Sequence, residues 1–231
     1  MFRSTVIYVG APILVVVLAI AAIQFGWLQP RAGTLVCVGA IALWAIIGLV
    51  LLLVGIVRML RGRARWGRPL GLGMIPIVAA VIGLVGLSGM QIVNSNDVST
   101  DLERPPSFST GPSAQRGMSE SAREAQRRAY PDIGPLTVQA SQDTVFTEAL
   151  GLAKTLGWET IVEDRDNGTI HWVARSRVFR FADDVSLRLS ADGSTTVVDI
   201  RSRSRVGKSD LGANAKRIRA FLSGLKSRIV T

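Results

Sequence analysis

The first 96 residues hold seven arginines, no lysine and no acid, because all 17 acidic residues of this chain lie at or after Asp97. That charge-poor stretch contains three runs without a single charge, at about residues 5–28, 34–57 and 70–93. Each exceeds the ~20 apolar residues that cross a ~30 Å hydrocarbon core, and a backbone in lipid must close its own hydrogen bonds, so each reads as a transmembrane helix. Pro12 and Pro76 are expected to kink or start their spans. A cleaved signal peptide fits the first run poorly, since no small-x-small site is followed by a polar mature start. Five arginines without an acid separate the second and third runs, at residues 58–68. The positive-inside bias assigns that loop to the cytoplasm. Three spans then leave the N-terminus cytoplasmic and everything after residue 93 outside, as in a multi-pass bacterial inner-membrane protein with a periplasmic C-terminal domain.

Residues 94–135 are rich in Ser, Pro, Gly and Arg. Residues 119–129 can form a short polar helix with little apolar stripe, so 97–134 is read as an extracytoplasmic linker, the competing reading being a segment that packs on the domain. From residue 135 to 231 the pattern becomes globular. A short strand at 136–140 precedes a helix at 142–156 capped by Ser141, and strands follow at 158–163, 169–181, 185–190 and 195–206. A helix from Ser209 to about Arg228 ends the chain, with Leu211, Ala215, Ile218, Leu222, Leu225 and Ile229 as its apolar stripe. The fold class is α+β: three transmembrane helices, then an antiparallel sheet in the order β-α-β-β-β-β-α covered by two helices.

The chemistry of sites narrows by elimination. His171 is the single histidine and reads as a structural or surface residue, and with Cys37 the single cysteine, inside an apolar run, zinc and nucleophilic-triad readings are weak. Gly207-Lys-Ser209 lacks the upstream glycines of a phosphate loop. No nucleic-acid motif accompanies the formal charge of +10, much of which lies in the membrane part. No catalytic residue, metal ligand or cofactor is assigned. What remains is an arginine-rich sheet face. Alternation sends Val198 and Ile200 to the core and Arg201, Arg203 and Arg205 away from it, with Arg188 on the neighbouring strand. Arg175 and Arg177 complete the face if they point outward. Guanidinium groups suit phosphate and carboxylate, so this face is a candidate binding surface for an anionic lipid, an envelope polymer or an acidic envelope protein.

The block Arg201-Ser-Arg-Ser-Arg-Val-Gly-Lys-Ser-Asp-Leu-Gly-Ala-Asn-Ala215, with Tyr130-Pro-Asp-Ile133 and Phe179-Arg-Phe-Ala-Asp-Asp184, resembles the family catalogued as domain of unknown function 1499. The resemblance covers roughly the C-terminal 135 residues. It implies no established reaction. Asp210 and Asn214 match the family's pattern and join the candidate binding residues, and Pro105-Pro106 looks like a family feature. The function expected is that of a membrane-anchored envelope module that binds an anionic partner. The alternative is an enzyme acting on an envelope substrate through carboxylates near Asp183, Asp184 and Asp210.

Overall fold

The computed structural model describes residues 2–61, 74, 78, 93 and 95–230. The third expected span, 70–93, lies almost wholly outside them. Two helices represent the first two spans, α1 (Phe2–Gln24) and α2 (Pro30–Leu60). Pro30 opens α2, where its missing N–H costs nothing. Among the described residues α2 is the one helix long and apolar enough to cross a membrane, and the apolar part of α1 is shorter, Gly10–Gln24. The two helices approach through small residues: Gly33 and Cys37 of α2 are buried, and a Cβ at Gly33 would run into Ile23. Leu35, Val38, Leu43 and Ile46 lie on the exposed surface of α2.

The second unit is built from β1 (Asp97–Ser99), α3 (Glu120–Ala129), β2 (Leu136–Val138), α4 (Gln142–Thr155), β3 (Glu159–Asp164), β4 (Thr169–Arg175), β5 (Ala182–Asp192), β6 (Thr195–Ser204) and α5 (Ala213–Val230). The six strands form one antiparallel sheet in the order β1-β6-β5-β4-β3, and β2 also pairs with β6. β1 and β2 therefore share one edge of β6, β1 at 201–203 and β2 at 196–198.

Ser141 caps α4, its hydroxyl accepting the N–H of Thr144. Asp210 does the same for α5, accepting from Gly212 and Asn214. The two helices cover one sheet face. Val145, Phe146 and Ala149 of α4, with Ala215, Ile218, Phe221 and Leu225 of α5, pack against Trp172, Val185, Leu187, Val198 and Ile200. Each large apolar side chain buried there stabilises the fold by about 1.5–3 kcal/mol.

Several boundaries differ from the sequence reading. The strand expected at 169–181 stops at Arg175, because Ser176 and Phe181 close a turn: the Ser176 N–H donates to the Phe181 carbonyl and the Phe181 N–H to the Ser176 hydroxyl. β5 then starts at Ala182. The last helix begins at Ala213 rather than Ser209, since Leu211 (φ 54°) and Gly212 (φ 82°) are left-handed. Within α5 the fully buried position of this turn is Phe221, and Leu222 is partly buried against the core.

The largest correction concerns residues 97–134, expected as a linker. They are part of the domain. Val98 is buried on the sheet edge, and Gln126 of α3 continues the ladder with its side-chain amide, accepting the Ser99 N–H at 2.9 Å and donating to the Ser99 carbonyl at 2.6 Å. Residues 100–118 carry no regular structure beyond turns and lie across the second face of the sheet, with Phe108, Ser113 and Met118 buried.

Candidate functional site

The alternation expected for β6 holds, and its consequence is different. Arg201, Arg203 and Arg205 do leave the helix-covered face, but the 100–118 segment meets them there. Arg201 is buried, its side chain 4% exposed. Its Nε and Nη2 form a bidentate pair with Asp97 at 2.9 and 2.8 Å, its guanidinium lies 4.8 Å from the Phe108 ring centre, and it also donates to the carbonyls of Pro106 and Arg116. Removing two charges from water is repaid only when the pair is well formed and its remaining protons are satisfied, and both conditions are met here. Arg201 is a structural residue.

Arg188 is held similarly, between Asp101 (2.9 Å) and Asp199 (2.8 Å), and donates to the Arg104 carbonyl. Burial alone would lower its pKa, and the two carboxylates raise it above the ordinary value. Arg205 donates through Nε and Nη2 to Asp184 at 3.0 and 2.7 Å. Asp184 also accepts from Ser113 at 2.6 Å and faces His171 Nε2 at 3.3 Å. Burial by itself would raise the Asp184 carboxyl; the hydrogen bonds from His171, Arg205 and Ser113 outweigh burial and hold it at about 2. His171 Nδ1 is buried without a partner. The order Ser113–Asp184–His171 puts the carboxylate in the middle, so the serine faces a weakly basic carboxylate and not the imidazole.

The other candidates scatter. Arg175 pairs with Glu159 at 3.2 Å toward the β3 edge, and Arg177 is exposed in the 176–181 turn. Asn214 is fully buried on the helix side, joining Ser202, Ser204 and the Asn96 carbonyl, and Arg217 joins it and reaches Asp183 at 2.6 Å. Asp210 is spent on the start of α5. The six-arginine face therefore does not exist as one exposed surface. The enzymatic alternative also loses its geometry: Asp183 faces α5, Asp184 faces the 100–118 segment, and Asp210 caps a helix, so the three do not share a cleft. Among the described residues no group of three or more His, Cys, Asp or Glu side chains is placed to hold a metal ion.

One basic opening remains where β6 runs out beyond the covering segment. A cleft of about 300 Å³ is lined by Asn96 and Asp97 from the β1 end, Arg116, Gly117, Ser119 and Ser121 around the start of α3, and Arg203, Arg205 and Lys208 from β6 and the turn after it. Arg203 is 16% exposed and donates from Nη1 to the carbonyls of Arg116 and Gly117, with Asp97 at 3.6 Å. Burial and the neighbouring charges of Arg201 and Arg116 push its pKa below the usual guanidinium value, against the pull of Asp97. Among the described residues Arg116 and Lys208 make no ion pair. Glu120, at the first turn of α3, is turned to Arg123 and Arg127.

A profile of the family described as protein of unknown function, DUF1499, matches residues 97–225. The chain belongs to this family. The DUF1499 match begins at the first residue of β1, in keeping with a domain that includes the segment expected as a linker. No curated protein matches the chain. Solved structures that it resembles include TTHA0849 from Thermus thermophilus (14% identity, 42% of this chain and 94% of that one, TM-score 0.27). CalU16 from Micromonospora echinospora is another (15% identity, 40% and 73%, TM-score 0.24). A third is an uncharacterised protein from Bacillus thuringiensis (11% identity, 42% and 96%, TM-score 0.25).

Sequence reasoning missed Arg116, Lys208 and Asn96 as cleft residues, Asp97 and Phe108 as partners of Arg201, and Ser113 as a partner of Asp184. The signal for the second group was present: Phe108 and Met118 are apolar residues that a solvated tether has no reason to carry, and Asp97-Val-Ser99 alternates as a strand.

Proposed function

We propose that this DUF1499 protein is a membrane-anchored binding module whose folded domain takes an anionic group in the cleft between β6 and the start of α3. The observation that carries the reading is the lining: four cations, Arg116, Arg203, Arg205 and Lys208, against the single carboxylate of Asp97, which Arg201 already occupies. Guanidiniums crowded together in a partly dry recess favour an anion that relieves their repulsion. Serine hydroxyls and the positive end of α3 add weaker attraction of the same sign. α2 supplies a membrane anchor, and the five arginines without an acid at 58–68 support a cytoplasmic N-terminus with the domain on the far side.

The binding claim is tested on the full chain in zwitterionic nanodiscs. Replacing chloride by phosphate at equal ionic strength raises the thermal midpoint of the wild type and leaves that of an Arg116→Ala, Lys208→Ala double variant unmoved. Those two side chains hold no ion pair in the fold, so the variant keeps its structure. An equal response of both proteins contradicts the reading. The topology claim is tested separately: a reporter active only outside the cytoplasm is active when fused after Thr231 and silent when fused in the 61–65 loop.

A further inference from the structure

The charge balance inside the cleft says more than that it favours anions. Resting on the anion-binding reading above, we infer that the cleft is built for a compact, multiply charged phosphate, a phosphomonoester or a diphosphate, and not for a singly charged carboxylate or phosphodiester.

Two of the carboxylates nearby are already neutralised. Asp97 takes Nε and Nη2 of Arg201, and Asp184 takes Nε and Nη2 of Arg205. Arg116, Arg203 and Lys208 are left as three cations around one recess, and Arg116 stands close enough to Arg203 to weaken its hold on its proton. A carboxylate or a phosphodiester brings one negative charge and would leave two cations unpaired. A phosphomonoester brings about two and a diphosphate about three, which matches what the lining lacks.

The free donors agree with that count. Arg203 commits Nη1 to two carbonyls and Arg205 commits Nε and Nη2 to Asp184, so each keeps part of its fork for a ligand. These forks come from the end of β6 and the residue just past it, two positions apart, while Arg116 comes from the covering segment and Lys208 from the turn beyond the strand. Donors from three directions suit the oxygens of a tetrahedral group better than a planar carboxylate. A volume of about 300 Å³ is at the small end for ligand sites and suits a compact head rather than a length of polymer.

The same chemistry can arrive on a lipid or in solution, and the experiment separates the two. Full-length protein in zwitterionic nanodiscs at pH 8 is titrated calorimetrically with inorganic diphosphate, methyl phosphate, dimethyl phosphate and acetate. Diphosphate and methyl phosphate are expected to bind about tenfold or more tightly than dimethyl phosphate and acetate, and Arg116→Ala with Lys208→Ala to lose about tenfold in diphosphate affinity. Phosphatidic acid in the nanodisc weakening diphosphate binding more than phosphatidylglycerol of equal total charge supports the class and gives it a lipid source. Equal effects of the two lipids, with the soluble preference intact, support it with a soluble source. Similar affinities for all four anions overturn the inference while leaving the anion-binding reading standing. No binding of any of them overturns both.

Discussion

Asp184 carries an unusual load for one side chain. It fastens the covering segment through Ser113, steadies His171 in β4 and occupies half of the Arg205 fork at the cleft. Its carboxyl is held at about 2 in the fold against an ordinary 3.8, a depressed value, so its contribution to stability is present above the ordinary carboxyl range. That contribution, about 2 kcal/mol, is lost as pH falls from about 4 to about 2. Urea midpoints of the full chain in detergent are therefore expected to fall across that window, and an Asp184→Asn variant to show a shallower fall over the same range. Parallel curves for the two proteins would mean that the acid sensitivity resides in other carboxylates.

At the scale of elements, the chain was legible wherever a periodic pattern met a local stop signal. Ser141 before α4, Asn167-Gly168 before β4 and the alternation of 197–201 all led to the observed elements. What failed was the segment with no period. Residues 100–118 are polar and irregular, and they pack because buried arginines and aspartates need each other, a long-range pairing that no local window contains. The alternation placed the arginines on the correct face, but it could not report that another part of the chain covers that face. The same omission hid the cleft, which exists only where the cover ends. Asp97 anchors β1 to β6 through Arg201, so Asp97→Ala leaves a buried guanidinium unpaired and is expected to cost about 3–5 kcal/mol, read as a drop in urea midpoint. A change within about 0.5 kcal/mol, the usual cost at an exposed site, would return residues 97–134 to the status of a tether.

In the whole molecule, an N-terminal part with one helix long and apolar enough to cross a membrane among its described residues precedes a domain whose arginines do two jobs: Arg201 and Arg188 hold the fold, and Arg116, Arg203 and Arg205, with Lys208, line the cleft. The direct test is to watch the arginines one by one. With arginine selectively labelled by nitrogen-15 in the full chain in neutral detergent, side-chain Nε resonances are assigned by single Arg→Lys variants and followed as inorganic phosphate replaces chloride. Saturable shifts are expected at Arg116, Arg203 and Arg205, with Arg201 and Arg188 unmoved. Saturable shifts centred on Arg175 or Arg177 instead, or none at any arginine, would contradict the assignment of the cleft.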